Sequence, residues 1–305
     1  MSGRSATIPI ANGDEPFALE RRWVVRLREH VEIALCRLLP AAGEPDNRLY
    51  EAMHHAVLTP GKRLRPVLAL LSADHLGCPI ERAMPAACAL EFVHAASLVL
   101  DDLPCMDNSL MRRGEPSIHA RHGEDIAVLV SVALLSEAFA ILSRATEIDE
   151  TARLRMIAIL ARTVGASGLV DGQAKDLRRE RHASASSLRQ VHHQKTGVLF
   201  VASVEMGAVA AGAPAETIEV LRAFAVEIGL AFQALDDLED QTEVVGGAGG
   251  SNLLTVLGST DLRGEAASRL ASAKAALRRG DARLYAMQGY VDLLIGSPVR
   301  ELAIG

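Results

Sequence analysis

The apolar segment Glu91–Leu100 runs directly into an acidic cluster, and this junction constrains the fold more than any other feature. Aspartate is a poor helix former and is seldom buried unless it pairs with a cation or binds a metal. The segment therefore predicts a long helix with a functional acidic end rather than a purely structural one. The cluster comprises Asp101, Asp102 and Asp107, and Arg112 and Arg113 follow it.

A second apolar segment, Leu221–Leu235, also ends in aspartates. On a helix, Asp236, Asp237 and Asp240 share one face because they are spaced by three and four residues. Close carboxylates repel one another unless cations bind between them, and oxygen ligands without neighbouring cysteine or histidine favour magnesium over zinc. One such cluster is explained equally well by a solvated acidic face. Two clusters on two apolar helices favour a metal site.

Composition predicts an all-α protein. Apolar residues make up 49% of the chain and aromatic residues only 3%, while alanine and leucine are abundant; this favours helices over sheet. We expect a disordered tail over residues 1–13 and one domain over residues 14–305. Its ten or more helices would form a bundle around a central cavity, with the two acidic clusters on facing walls.

Charge and cysteine usage exclude several classes of protein. The net charge of −6 indicates no nucleic-acid surface. Charged or polar residues interrupt the longest apolar stretch and the N-terminus lacks a signal-peptide layout, so no membrane span is expected. The four cysteines show neither metal-ligand spacing nor a paired framework, which is typical of a reduced, cytoplasmic protein.

The spacing of apolar residues predicts the main helices and their breaks. We expect Pro104 to kink the first acidic helix and so to return Asp107 towards the aspartate pair. The helix over residues 125–142 is apolar on most sides, which predicts a central position. The remaining predicted helices cover residues 16–39, 48–58, 150–164 and 214–243.

Basic residues near the acidic clusters indicate a diphosphate site. Lys62, Arg63 and Arg65 begin a predicted helix, where free N–H groups also favour phosphate. Arginine and lysine bind phosphate oxygens and metals neutralise the remaining charge. Apolar residues one to three turns before Asp101 suit the walls of a cavity for a prenyl chain. The other basic residues of this group are Arg112, Arg113 and Lys195.

Five motifs in this order resemble those of the trans-type isoprenyl diphosphate synthases, most closely the bacterial geranylgeranyl diphosphate synthases. The resemblance covers about residues 50–258. Its carriers are Gly61 to Pro66, Asp101 to Asp107 with the following Arg-Arg-Gly, Gly172-Gln173, Lys195-Thr196-Gly197, and Gln233 to Asp240.

The resemblance implies an isoprenoid-synthase fold, a homodimer and a condensation of isopentenyl diphosphate with an allylic diphosphate. Three magnesium ions would hold the allylic diphosphate through Asp101, Asp102, Asp107, Asp236, Asp237 and Asp240. Arg112 and Lys195 would contact the same diphosphate, and Lys62, Arg65, His94 and Arg113 would hold isopentenyl diphosphate. Gln173, Asp176, Thr196 and Gln233 would line the allylic cation. The residues expected to carry the reaction itself are Asp101, Asp102, Lys195, Gln233 and Asp236.

Product length follows from a small residue five positions before the first aspartate. Ala96 precedes Asp101 by roughly 7 Å of helix, where a bulky aromatic in the family stops growth at fifteen carbons. Alanine leaves room, so a twenty-carbon product is expected, with farnesyl diphosphate synthase as the alternative. The residues expected to shape this pocket are Phe92, Val93, Ala96 and Ser97.

One region departs from the family pattern. Residues 244–252 are rich in glycine and lack the lysines that usually serve the diphosphate site. This keeps open a weakly active subunit that regulates a partner synthase, although six aspartates argue against it. A terpene cyclase shares the helical fold, but the Lys62–Arg65 pair and the doubled motif count against that reading. A helical interaction module without metal is the simplest alternative.

Overall fold

The computed structural model of the protein describes residues 18–40, 47–178, 184–243, 253–280, 282–291, 293 and 295. The predicted tail over residues 1–13 and the glycine-rich segment Gly246 to Gly250 lie outside these residues. The all-α prediction is confirmed, because the described part of the chain forms fifteen α-helices and only one two-stranded hairpin.

The helices follow the predicted periodicity closely. Their bounds are α1 Ala18–Leu38, α2 Arg48–Leu58, α3 Leu64–His75, α4 Ile80–Asp101, α5 Ile118–His122, α6 Glu124–Arg144, α7 Glu150–Val164, α8 Leu169–Leu177, α9 Ala185–His192, α10 Val198–Ala210, α11 Ala215–Glu243, α12 Leu253–Leu257, α13 Ser259–Leu277, α14 Ala282–Ala286 and α15 Gln288–Val291. A π-helical turn, His193–Gly197, joins α9 to α10, and the hairpin consists of β1 Met111–Arg112 and β2 Glu115–Pro116.

Helix α4 forms the centre of the described part. All residues from Ala86 to Val93 are buried, so this helix is covered on every side. It packs against α3, α6 and α10. Helix α10, which is buried along most of its length, also packs against α11. The two acidic helices, α4 and α11, are thus connected through α10.

Helix α6 corrects one prediction. Its apolar residues predicted a central helix, but Val128, Leu129 and Val132 are 45%, 53% and 61% exposed. One side of α6 packs against α4 while the opposite side faces outward in the single chain. Periodicity shows that a helix is apolar on most sides, but it does not show which of those sides are buried in the folded chain.

Two helices, α4 and α6, are long and apolar enough to meet a length and hydropathy criterion for membrane spans. The core helices of soluble proteins meet the same criterion, and in α4 67% of the apolar window is buried inside the protein. The corresponding share is 39% for α6. Neither helix therefore gives more than weak support for a span.

Candidate active site

The first acidic cluster forms where α4 ends. The helix stops at Asp101, and Asp102 caps it by donating its N–H to the Leu98 carbonyl at 3.1 Å. The prediction of a kinked, continuing helix at Pro104 is wrong, because the helix ends at Asp101, three residues earlier, and a series of turns follows. These turns bring Asp107 back, because its N–H donates to the Asp101 carbonyl at 2.9 Å.

Lys195 binds this cluster from the π-helical turn. Its Nζ lies 3.8 Å from a carboxylate oxygen of Asp101, 3.8 Å from one of Asp107 and 2.9 Å from one of Asp176. Burial lowers the pKa of Lys195, but the three carboxylates raise it by more, so the net effect is an increase. Lys195 is therefore a permanently charged group held among acids.

The surroundings of Asp101 disfavour the ionised form of its carboxyl group. Its pKa is raised to about 6. Burial is the main cause and repulsion from Asp107 and Asp102 contributes, while the positive charges of Lys195 and Arg112 oppose the rise. A carboxylate that is buried with too few cations is a favourable ligand for an added metal, because the metal removes the cost of its charge.

Asp102 has a different environment from Asp101. It is 3% exposed, and both of its oxygens accept hydrogen bonds from Arg112, whose Nε lies 3.0 Å from Oδ1 and 3.3 Å from Oδ2. The predicted metal ligand Asp102 and the predicted phosphate contact Arg112 thus bind each other in this structure. Asp102 holds Arg112, on the β1 strand, beside the cluster.

The second cluster divides in the same way. Asp237 is 4% exposed, and its carboxylate accepts hydrogen bonds from Gln233 Nε2 at 2.9 Å and from the Leu253 N–H at 3.0 Å. Asp236 is half-buried and interacts electrostatically with Arg65. The side chain of Asp240 lies outside the described residues. In each cluster the first aspartate is half-buried, whereas the second is buried and bonded to protein donors.

The π-helical turn connects the two clusters. Lys195 contacts the first, while its neighbour Thr196 donates a hydrogen bond from Oγ1 to Gln233 Oε1 at 3.1 Å. Gly172 of α8 packs against this turn so closely that a Cβ there would lie 2.5 Å from the backbone nitrogen of Lys195. Only glycine permits this approach. Single π turns are frequent at functional sites.

A basic group surrounds His94, which is half-buried on α4. Arg65 Nη1 lies 3.2 Å and Arg113 Nη2 lies 3.4 Å from His94 Nε2. Burial, followed by Arg65 and Arg113, lowers the pKa of His94 well below its usual value, so the imidazole is neutral and accepts from both guanidinium groups. Burial also lowers the pKa of Arg65 to about 10, which leaves it charged at neutral pH.

Lys62 and Arg65 lie over two neighbouring aromatic rings. The Lys62 ammonium is 5.9 Å from the centroid of Phe232, and the Arg65 guanidinium carbon is 4.8 Å from that of Phe200. The two rings are themselves 5.4 Å apart. Lys62 also lies 3.8 Å from Glu239. The structure thus brings together four predicted substrate-binding residues: Lys62, Arg65, His94 and Arg113.

Arg63 differs from the two predicted substrate-binding residues beside it, Lys62 and Arg65. Its side chain is buried and bonded to two glutamates, Glu32 and Glu91. Glu91 was not predicted as a partner of Arg63, although a glutamate inside an apolar segment indicates a buried charge that needs a cation. Glu32 and Phe200 gave no such signal, because their roles depend on contacts between distant helices.

The residues predicted to shape the tail pocket lie on α4 before Asp101. Phe92, Val93 and Ala96 are fully buried. Ser97 is half-buried, and its Oγ donates to the His94 carbonyl at 2.9 Å. Because Ala96 is fully buried, a larger side chain at this position would have to occupy space inside the protein.

Comparisons with known proteins agree with this arrangement. Residues 46–248 match the polyprenyl synthetase family. The chain is 39% identical to a geranylgeranyl diphosphate synthase of Pantoea ananas, over 90% of this chain and 94% of that protein. It is 35% identical to a geranylgeranyl diphosphate synthase of Pseudescherichia vulneris, over 96% and 100%.

A solved structure gives the same result for the fold. An FPP/GFPP synthase from Zymomonas mobilis superimposes with a TM-score of 0.83 at 32% identity, covering 90% of this chain and 98% of that one. The matches extend over nearly the whole length of these proteins and include both acidic helices. The chain belongs to the polyprenyl synthetase family.

Proposed function

We propose that the protein is a trans-prenyltransferase that condenses isopentenyl diphosphate with an allylic diphosphate to form geranylgeranyl diphosphate and free diphosphate. One observation carries this proposal. Lys195 lies within 3.8 Å of both Asp101 and Asp107, and its neighbour Thr196 is hydrogen-bonded to Gln233 of the second acidic helix. The bacterial relatives named geranylgeranyl diphosphate synthase support the twenty-carbon product.

The donor set fits magnesium held jointly by protein and substrate. No group of three acidic, histidine or cysteine side chains in the described part of the chain is close enough to hold a metal alone. Magnesium usually binds one or two carboxylates together with substrate phosphates and water. Asp101, Asp107 and Asp236 would hold it. When bound, it would neutralise the diphosphate and stabilise its departure as a Lewis acid.

The basic side chains would divide the two substrates between them. Lys195 and Arg112, which lie at the first cluster, would hold the allylic diphosphate. Arg65 and Arg113, which share the neutral His94 as acceptor, would hold isopentenyl diphosphate. Preorganised charges of this kind stabilise a departing anion without reorganisation.

Oxygen atoms near Lys195 would face the allylic cation. The Oε1 atom of Gln173 is buried and has no hydrogen-bond partner among the described residues, so its lone pairs remain available. Asp176 lies beside Lys195, and Thr196 is bonded to Gln233. The isopentenyl double bond would attack the cation after diphosphate has left, and the product would then lose a proton to the released diphosphate.

The prenyl tail would grow along α4 past Ala96 and Ser97. Ala96 is fully buried and carries the smallest side chain that still favours a helix. Phe92 and Val93, about one turn further from Asp101, would form the floor. Their burial supports this role, and the chain length of the product would test it.

We also infer that the protein is a cytoplasmic homodimer. The exposed apolar side of α6, formed by Val128, Leu129 and Val132, suits a second copy of the chain, because burying it removes apolar surface from water. All four cysteines are free, including the exposed Cys36 and Cys105, which suits a reducing compartment.

A weakly active regulatory subunit is the second candidate, because residues 244–252 lack lysine. This segment lies outside the described residues. The close grouping of Lys195, Asp101 and Asp107 favours a catalytically active site over an inactive one. A terpene cyclase would need no second diphosphate subsite, which Arg65, His94 and Arg113 supply.

The test is to incubate the protein with magnesium, isopentenyl diphosphate and dimethylallyl, geranyl or farnesyl diphosphate in turn, and to measure product mass. We expect a twenty-carbon product that Asp101→Asn abolishes. The exposed Asp261 on α13 provides a matched control, since Asp261→Asn should leave turnover unchanged. A fifteen-carbon product would retain the prenyltransferase but contradict the product length. No condensation by folded protein would contradict the function.

A further inference from the structure

Arg63 is the most completely bonded cation at the basic end of the site. Its Nε donates to Glu32 at 2.7 Å and its Nη1 donates to Glu91 at 2.6 Å. Its Nη2 donates to Glu32 at 3.2 Å and to the carbonyls of Val57 and Thr59 at 2.8 and 3.1 Å. Every nitrogen of the guanidinium group therefore already donates to a protein acceptor. None of them is reserved for a substrate.

These bonds join three helices at one residue. Glu32 lies on α1, Val57 near the end of α2 and Glu91 in the middle of α4. Arg63 itself precedes α3 and adopts a left-handed backbone conformation, with φ of 48°. Such a conformation is unfavourable for a residue with a side chain, so the side-chain bonds hold the turn in place.

This turn carries and supports the basic residues of the proposed isopentenyl diphosphate subsite. Lys62 and Arg65 flank Arg63 in sequence. Arg113 packs over the same turn, because a Cβ on Gly61 would lie 2.4 Å from Arg113 Nη1. A shift of the Arg63 side chain would therefore move three cationic groups at once.

Charge is distributed unevenly within this group. Glu91 is 2% exposed and acts electrostatically on Arg63, Arg65 and Arg113, but it forms an ion pair only with Arg63. Neither Arg65 nor Arg113 forms an ion pair with a carboxylate among the described residues. The Nε of Arg65 is buried without a hydrogen-bond partner there. Arg63 thus forms the ion pairs with Glu32 and Glu91, while Arg65 and Arg113 interact with carboxylates only at longer range.

We propose that Arg63, clamped between Glu32 and Glu91, is a positioning residue that holds Arg65 and Arg113 ready to bind the diphosphate of isopentenyl diphosphate. The inference rests on the proposed function of the same site. Arg63 acts through its neighbours and does not touch the substrate. A buried fork of this kind cannot be replaced by lysine, which carries the charge but lacks the planar set of donors.

The test compares Arg63→Lys with the wild-type enzyme. We expect the KM for isopentenyl diphosphate to rise tenfold or more and the Kd for isopentenyl diphosphate alone, from calorimetry, to rise by a similar factor. The KM for the allylic substrate should change less than twofold. A parallel change in both KM values, or a lower melting temperature with an unchanged KM, would overturn the proposal.

Arg222 of α11 provides a control. It also binds a buried glutamate, Glu205 of α10, which is 2% exposed, but its own side chain is 31% exposed whereas that of Arg63 is 1% exposed. Arg222→Lys should lower the melting temperature without changing either KM. If it raises the KM for isopentenyl diphosphate as Arg63→Lys does, the effect is general destabilisation and the proposal fails.

Glu32→Gln keeps the proposal testable if Arg63→Lys does not fold. Glu32 is 40% exposed, so losing its charge spares the core while weakening the clamp. The same selective rise in the KM for isopentenyl diphosphate is expected, and no rise would count against the proposal. If the wild-type protein itself shows neither condensation nor binding of isopentenyl diphosphate, the proposed function fails rather than the role of Arg63.

Discussion

Replacing Gly172 with alanine should damage the site through a single methyl group. The new Cβ would lie 2.5 Å from the Lys195 nitrogen and 2.6 Å from the Gln194 carbonyl carbon, whereas ordinary contact begins at 3.4 Å. The π-helical turn must therefore move by about 0.9 Å. Both obstructing atoms belong to the backbone, so no side-chain rotation relieves the clash.

That displacement acts directly on Lys195, whose Nζ bonds to Asp176 at 2.9 Å and lies 3.8 Å from Asp101. A misplacement of about 1 Å at a reacting centre costs about 100-fold in rate. Overpacking itself costs about 1–3 kcal/mol of unfolding free energy. We therefore expect Gly172→Ala to fold, to lose part of its stability and to lose most of its turnover of the condensation.

Steady-state kinetics with isopentenyl and farnesyl diphosphate and denaturant unfolding would measure the two effects. Gly264, inside α13, is a matched control, because a Cβ there meets nothing within 4 Å. Gly264→Ala should keep full activity and gain about 0.5–1 kcal/mol of stability. If Gly172→Ala retains turnover within twofold of the wild type, the close approach to Lys195 does not position this group and the reasoning is refuted.

Three further predictions concern charge, product and assembly. Because burial raises the pKa of Asp101 to about 6, the metal-free protein gains stability from its protonation at low pH and loses it as pH rises through 6. Magnesium with inorganic diphosphate should therefore raise the melting temperature more at pH 7.5 than at pH 5, and equal gains would contradict this sign. Ala96→Phe should shorten the product to fifteen carbons by mass spectrometry, while an unchanged length would place the floor elsewhere. Val132→Glu, at a position 61% exposed in the single chain, should yield a folded monomer in size-exclusion chromatography, and a persistent dimer would exclude this face.

The helices were predictable because apolar spacing is a local property. The helices over Arg48–Leu58 and Glu150–Val164 begin and end where the pattern predicts. The break after Asp102 was expected from Pro104, but its form was not, since proline forbids a continued helix without specifying the turn that replaces it. The exposed side of α6 was missed because an apolar side chain has the same identity in the sequence whether it is exposed or buried.

The sequence also grouped the candidate site residues correctly into motifs but did not distinguish neighbours within a motif. Asp101 and Asp102 are adjacent and chemically identical, yet Asp101 faces Lys195 while Asp102 is buried against Arg112. Successive residues on a helix point about 100° apart. Which direction is buried depends on the elements packed around the helix end, and these are distant in sequence.

By itself, the sequence determined the helical class, the two acidic helices and the basic motifs, because residue type and period act over a few positions. Only the tertiary structure decided that Lys195 and Thr196 connect the two clusters. It also decided that Arg63 is buried between two glutamates, while Arg65 and Arg113 form no ion pair with a carboxylate among the described residues. The physical reason is that pairing of charges depends on distance in space. Packing of α1, α4, α8 and α11 around these groups sets that distance, and no local pattern contains it.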